Sequence, residues 1–343
     1  MTRKFTLMIS SVGRRVQLVD CFRRAARDLG LELTLIGVDA APELAPASHL
    51  VDRSFKVPRC SDPDFVAAAL RVCESQQVNL VIPTIDPELP FYAQSRDSFV
   101  AVGTMVLVSA PETIRIAGDK ALTNRWFVEN GLPTVRQAKV LDVLNQPAWW
   151  RFPLIVKPRH GSASVGVSVV HSPASLESLI SGESSADPRP HPQGIPDEWV
   201  AEELATGVEH TTNVLVDGTG RCLCAIPHRR LETRGGEVSK GITAKNLQLM
   251  ELARRAAERL PGAVGPLNLQ AFVNAGGEIR FTEINARFGG GFPLAFEAGA
   301  NFCRWIFEDV LGLPSTASFD GWKGDLLMLR FDSAVFVEEA TLG

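Results

Sequence analysis

The first hundred residues alternate short apolar runs with helical stripes. Residues 5–10 (FTLMIS) form a run too short for a helix and predict a buried strand. Val16, Val19, Phe22, Ala26 and Leu29 then recur at spacings of three and four, as on one buried helix face, and Gly30 supplies a stop. Residues 33–38 (LTLIGV) predict a second strand ending at Asp39. Ser61 or Asp62, followed by Pro63, predicts the start of a helix that buries Phe65, Val66, Ala69, Leu70 and Cys73. Residues 78–83 and 104–109 predict two more strands. Strand and helix in repetition imply a parallel sheet covered by helices on both faces. Farther on, residues 181–198 are rich in Pro, Ser and Gly without periodicity and predict a loop. Residues 247–260 read as an amphipathic helix, 267–273 and 278–284 as strands, and 294–299 as a helix after a Gly-rich turn. No internal repeat is evident.

Composition narrows the class. With 343 residues, 45% hydrophobic and 22% charged, the chain reads as a globular protein of two or three packed domains. Its net charge of -4 and lack of a basic cluster argue against a nucleic-acid partner. No apolar run reaches the roughly 18 residues of a spanning helix, so no membrane partner is expected. The start of the chain has too short an apolar stretch for a signal peptide and reads as a first strand. The six cysteines contain no C-x-x-C pair, which suits free thiols in a reducing cytoplasm.

A parallel sheet of this kind binds ligands at the carboxyl ends of its strands. The loop after the first strand has a single glycine, Gly13, where a dinucleotide site needs G-x-G-x-x-G, so a nicotinamide enzyme is excluded. Arg14 and Arg15 there suit either a substrate anion or solvated charge at a helix start. Asp86 and Glu88 suit a cationic group such as an amine, or are ordinary surface acids. A strand ending at Lys157-Pro158 leads into a run of small residues, Gly161, Ser162, Ala163, Ser164 and Gly166, before a valine-rich strand. Such a hairpin can close over phosphates, because small residues let backbone N–H groups approach oxygen closely; a plain hairpin is the competing reading. Glu202 and Glu203, before Leu204 and a glycine turn to Glu209, suit adenine and ribose, or a strand end in water.

The richest cluster lies downstream. Glu283, Asn285 and Arg287 share one strand face by the period of two, and Gln270 on a neighbouring antiparallel strand can point to the same place. Gln, Glu and Asn offer only oxygen, which suits a hard cation such as Mg²⁺. Arginine beside them suits developing phosphate charge. The competing reading pairs Glu283 with Arg287 alone.

Taken in order, Asp119-Lys120, Lys157-Pro158 with GSASVGV, EELATGVE, Gln270 and Glu283-x-Asn285-x-Arg287 resemble the ATP-grasp superfamily, in its carbamoyl phosphate synthetase large-subunit-like and carboxylate–amine ligase branch. The resemblance covers nearly the whole chain. It implies an α/β fold, α+β in its C-terminal lobes: a Rossmann-like domain preceding the ATP-grasp unit (residues 1–112), a small lobe with the lid loop (113–200) and a C-terminal lobe with the metal site (201–343). It implies that Lys120 and Lys157 contact ATP phosphates, that Gly161 to Gly166 close over them, and that Glu202, Glu203 and Leu204 form the adenine hinge with Glu209 on ribose. Gln270, Glu283 and Asn285 match the ligands of Mg²⁺ (or Mn²⁺), and Arg287 the arginine that steadies the phosphoryl group, with Lys157 as its catalytic companion. Ala163 departs from the common glycine of the lid. Arg14, Asp86, Glu88, Arg229, Arg230 and Lys240 are the candidate substrate residues. The implied activity is an ADP-forming ligase that makes an acyl phosphate from a small carboxylate, such as an amino acid, and passes it to an amine. The alternatives are a phosphotransferase or carbamate-phosphorylating enzyme, and a non-catalytic nucleotide-binding protein. A cytoplasmic homodimer is the family-level expectation.

Overall fold

The computed structural model describes residues 3–161, 166–181 and 198–338. The first sheet holds β1 (Lys4–Ser10), β2 (Glu32–Asp39), β3 (Arg53–Lys56), β4 (Leu80–Ile82) and β5 (Met105–Val106), all parallel, in the order β3-β2-β1-β4-β5. The order reverses between β1 and β4, so the loops that leave these two strands diverge and frame a crevice. The helix Val16–Asp28 buries Val19, Phe22 and Ala26 of its predicted stripe, with Leu18, Cys21 and Ala25 beside them, while Val16 and Leu29 are half-buried. Three details differ from expectation. The second helix runs Phe65–Gln76, because Asp62 first accepts the Asp64 N–H in a turn of its own. Its Val66 and Leu70 are only half-buried. The expected strand at 104–109 is reduced to β5, and β3 was not expected: both are edge strands, which need few apolar residues.

A four-stranded antiparallel sheet follows, built from β6 (Gln137–Lys139), β7 (Leu154–Pro158), β8 (Ser168–Val170) and β9 (Trp199–Glu203) in the order β6-β9-β7-β8. The largest sheet is antiparallel too. It comprises β10 (Val208–Val216), β11 (Cys222–Arg234), β12 (Glu237–Thr243), β13 (Gly265–Val273), β14 (Ile279–Asn285) and β15 (Leu327–Leu329), in the order β14-β13-β10-β11-β12-β15. The helix Leu247–Arg259 packs on β11 and β10 through Leu249, Met250, Ala253, Ala256 and Ala257. The helix expected at 294–299 starts earlier, at Phe292–Glu297, because Pro293 falls in its first turn, where a missing N–H costs nothing.

Two separate cores hold these sheets. One runs without a break from the parallel sheet to the six-stranded sheet. Aromatic rings stitch it: Phe22 meets Phe288 and Phe307 edge-on at 5.9 and 5.7 Å, and Phe127 stacks on Phe281 at 5.2 Å. The helix Lys120–Glu129 belongs to this core through Trp126 and Phe127. The small sheet has its own, made of Val140, Val143, Leu154, Val156, Val170, Leu176, Leu179 and Ala201. The link between them, from β9 to β10, passes through Gly207 at φ +107, where a Cβ would lie 2.2 Å from the Val273 carbonyl oxygen. Gly207→Ala therefore meets both a left-handed backbone and a backbone collision. It is expected to lower stability by about 1–3 kcal/mol, read as a shift in the urea midpoint at constant slope; an unchanged midpoint would refute the collision.

Candidate active site

The carboxyl ends of β1 and β4 face the open surface of the six-stranded sheet across a cleft of about 570 Å³. That surface carries polar side chains at every second position. Thr211 on β10 stands opposite His228 on β11 and opposite Gln270 on β13; Gln270 in turn stands opposite Glu283 on β14, and Asn268 opposite Asn285. The placement of Glu283 depends on an irregularity. Ile279 and Phe281 point into the core, so strict alternation would bury Glu283 with them. The register instead shifts between Gln270 and Ala271, and the extra residue in β14 turns Glu283 and Asn285 into the cleft while Ile284 returns to the core.

Gln270, Glu283 and Asn285 thus converge, and Glu283 makes no ion pair among the described residues. No group of three or more His, Cys, Asp or Glu able to hold a metal occurs among those residues; this set offers one carboxylate and two amides. That donor set fits Mg²⁺, which takes few protein oxygens and completes its shell with water and phosphate. Arg287 does not pair with Glu283. Its Nε and Nη2 donate to Asp86 Oδ2 at 3.0 and 2.6 Å, and Nη2 also to Asn285 Oδ1 at 3.2 Å. One guanidinium therefore joins the metal-type oxygen set to the loop after β4.

The lysines lie toward the small sheet. Lys157 on β7 and Glu202 on β9 form an ion pair of 2.6 Å, with both side chains buried. Gln137 Nε2 donates to the other carboxylate oxygen at 2.6 Å. Removing Lys157 alone would strand a buried carboxylate at a cost of roughly 3–5 kcal/mol, so Lys157→Ala tests folding as much as chemistry. Lys120 donates to the Gly161 carbonyl at 2.7 Å. Burial lowers its pKa, and the Lys157 charge adds to this against the pull of Glu283, Glu202 and Asp86. Glu203 lies 3.6 Å from Arg136, and Leu204 is exposed. Gly166 packs on Pro158. Ser162, Ala163 and Ser164 lie outside the described residues.

Glu209 faces the cleft and accepts from Arg230 Nη1; Arg230 Nη2 donates to the Gly236 carbonyl at 2.7 Å. Burial raises the Glu209 pKa against the opposing pull of Arg230. Sequence alone makes Arg230 a candidate substrate residue, apart from those expected to meet ATP. The pairing changes that expectation, because Arg230→Ala would also release the residue expected to meet ribose.

Three candidate substrate residues lie elsewhere. Glu88 is fully buried. It accepts from the Thr84 and Ile85 N–H groups at 2.6 and 3.1 Å and from the Ser10 and Ser11 hydroxyls at 2.6 and 2.8 Å. Burial pushes its pKa up. It fastens the loops after β1 and β4 to each other and has no reach into the cleft. Arg229 stands opposite His210, on the other face of the sheet from His228 and Arg230. Lys240 pairs with Glu232 at 2.6 Å on an exposed surface. Arg14 and Asp86 do line the cleft.

Several cleft residues escaped the sequence. Asn268 and Thr211 follow from alternation, standing two before Gln270 and two after Glu209. Glu237, held by Arg15 and Arg330, has no local signal. The run Gly289–Gly291 needs its glycines for closeness: a Cβ would sit 2.5 Å from Asn268 Oδ1, 2.4 Å from the Glu237 carboxyl and 2.8 Å from Val238, respectively.

Residues 7–107 match the family model described as PylC-like, N-terminal domain, and residues 196–328 match ATP-grasp in the biosynthetic pathway with Ter operon. A D-alanine–D-alanine ligase of Ectopseudomonas mendocina (strain ymp) is 31% identical over 199 residues, 53% of this chain and 58% of that protein's length. Among solved structures, the biotin carboxylase of Campylobacter jejuni superposes with a TM-score of 0.72 at 15% identity, covering 94% of this chain and 74% of that one. The L-amino acid ligase of Bacillus licheniformis does so at 0.67 and 20% identity, over 94% and 78%. Residues 196–328 thus resemble ATP-grasp proteins, and the chain shares the fold of these solved structures.

His228, on the cleft floor, is pushed down from 6.5 to about 3 by burial first, then by Arg230 and His210. Its folded value lies below its unfolded one, so between them the unfolded chain binds more protons. Its contribution to stability is whole above about pH 6.5 and falls as pH drops toward 3, by up to about 1.4 kcal/mol per pH unit. Urea titrations of His228→Gln between pH 6.5 and 4 are expected to show a shallower loss than the parent; parallel slopes would overturn this.

Proposed function

We propose that the protein is an ATP-dependent, ADP-forming ligase that activates a small carboxylate as an acyl phosphate and joins it to an amine. The observation that carries this reading is the Gln270–Glu283–Asn285 oxygen set lining one cleft with Arg287, with Lys120 near enough to feel the charges of both Glu283 and Lys157. The carboxylate–amine ligases among the relatives support it, although the matched relative is spanned over only 58% of its length.

In this reading ATP lies between the small sheet and the six-stranded sheet. Lys120 and Lys157 neutralise its phosphates, the β9–β10 link meets adenine, and Glu209 meets ribose. Gln270, Glu283 and Asn285 hold Mg²⁺, which when bound offsets charge on the β- and γ-phosphates. Arg287, held by Asp86 through Nε and Nη2 and by the Phe288 carbonyl through Nη1, presents its second Nη1 N–H to the transferring phosphoryl group and the new acyl phosphate. Because that guanidinium is oriented before the reaction, no rearrangement is needed as charge develops. The substrate carboxylate attacks the γ-phosphorus, ADP departs, and the amine then displaces phosphate from the acyl carbon. The two lobes with separate cores close around these steps and keep water from the acyl phosphate. No covalent protein nucleophile is required, and the six free cysteines, five of them buried, take no part. The free thiols and the absence of a helix long and apolar enough to cross a membrane among the described residues support a cytoplasmic setting. A homodimer is part of the proposal.

The test is release of phosphate and ADP with ATP·Mg²⁺ across a matrix of amino acids, other small carboxylates and amines. Release is expected to depend on one acid–amine pair and to fall by at least about 100-fold in Glu283→Gln. Release indifferent to Glu283→Gln, or tight nucleotide binding without turnover for any pair, would overturn the ligase reading.

A further inference from the structure

The charges in the cleft are not evenly matched. Of its four carboxylates, Asp86 is taken by Arg287, Glu209 by Arg230, and Glu237 by two arginines at once: Arg15 Nη1 at 3.4 Å and Arg330 Nη1 at 3.2 Å. Among the described residues, Glu283 in the oxygen set is the one of the four without an arginine partner. An incoming ammonium group therefore finds no unpaired carboxylate at the end of the cleft formed by the loops after β1 and β4. Cations are in surplus there. Arg14 has no ion-pair partner among the described residues and lines the cleft beside Arg15, so three arginines face the single charge of Glu237.

Arg15 is anchored. Nη2 donates to the Thr84 carbonyl at 3.0 Å, and the side chain is largely buried. Burial is the main reason its pKa is lowered, and the neighbouring Arg287 and Arg330 add to it. Glu237 feels burial in the opposite sense, yet Arg15, Arg330 and Arg14 outweigh it and hold its carboxyl below the usual range. Arg330 reaches this cluster from the segment after β15, where its N–H donates to the Ser239 carbonyl at 2.9 Å and its Nη1 to the Val238 carbonyl at 3.2 Å. One largely buried guanidinium, Arg15, and two more exposed ones, Arg14 and Arg330, surround a single carboxylate, and an anion between them would restore the balance.

We propose that this end of the cleft binds an anionic group, a phosphate or a carboxylate, which the substrate carries apart from the carboxylate that is phosphorylated. Arg14 and Arg15 contact it. Arg330 is a positioning residue that acts through Glu237, fixing the carboxylate that in turn aims Arg15. The inference rests on the ligase reading and narrows its substrates to compounds with a second, distal anion.

The experiment uses the full chain saturated with Mg²⁺ and a non-hydrolysable ATP analogue, so that the γ-phosphate position is filled. Inorganic phosphate and, separately, succinate are titrated in by calorimetry, with Arg14→Ala, Arg330→Ala and Arg330→Lys beside the parent. At least one probe is expected to bind saturably, and the stronger of the two identifies the anion. Arg14→Ala and Arg330→Ala are each expected to weaken it about tenfold, Arg330→Lys to restore most of the loss, and the analogue's affinity to stay unchanged. In turnover, aspartate and O-phosphoserine are compared with alanine as acid or amine; Arg14→Ala is expected to raise KM for the anion-bearing compound and leave kcat in place. Lack of saturable binding by either probe, or binding unchanged in both alanine variants, would overturn the proposal. So would turnover of alanine as efficient as that of aspartate and O-phosphoserine, and that outcome would leave the ligase reading standing. Anion binding that depends on Arg14, without turnover of any pair, would support the site and sink the ligase reading.

Discussion

The contact between Asp86 and Arg287 is the hinge pin of the molecule's chemistry. It spans 201 residues of sequence and joins the loop after β4 to the residue that leaves β14 two positions beyond Asn285. The shared core presses the parallel sheet against the six-stranded sheet, but apolar packing is indifferent to small rotations of polar groups at its margin. The guanidinium is not indifferent. It takes a carboxylate on one side and the Asn285 amide oxygen on another, both in a partly desolvated setting where such bonds are strong. A change of angle between the sheets would break one of them, so the crevice of the Rossmann-like sheet and the polar face of the larger sheet are held in one frame.

Within that frame the site is a set of arginine–carboxylate couples surrounding the Gln270, Glu283 and Asn285 oxygens. Each couple ties two elements: β4 loop to β14 end, β10 to β11, and helix start to β12 to the segment after β15. The couples leave the arginines oriented while much of their charge is already balanced. Glu283, by contrast, is in no ion pair among the described residues, which suits the cation role proposed for it.

The fold was legible wherever burial was one-sided or complete. The helix Val16–Asp28, β1, β2 and the helix Leu247–Arg259 follow from periodicity almost to the residue. Edge strands β3 and β15 did not, and β5 is shorter than its apolar run predicts, since the stability of such strands lies in a neighbour's backbone and not in their own side chains. At the site, the Gln270, Glu283, Asn285 and Arg287 cluster was legible because residue type and spacing carried it, although its geometry rests on a register shift that the letters do not mark. Glu88, Arg229 and Lys240 were misread for one reason: charge on a loop or strand says nothing about which face it takes or which partner is waiting. Glu88 is consumed by hydroxyl and amide donors from two loops, and Lys240 by a glutamate eight residues away. The Arg15–Glu237–Arg330 cluster joins three distant stretches and has no counterpart in any local pattern.

The division into two cores has a consequence for how the chain resists unfolding. The small sheet draws on a short list of buried side chains, while the rest of the chain shares one large core. Cooperative units of unequal depth open at unequal free energies. The small sheet is thus the region whose amides should exchange with solvent first and whose backbone a protease should meet first. Under the proposed function, a nucleotide gripped by both units would favour only the state in which both are closed, and by mass action would protect the weaker one most. The same separation of cores would then make the occupied protein, and not the empty one, the form that survives in a proteolytic environment.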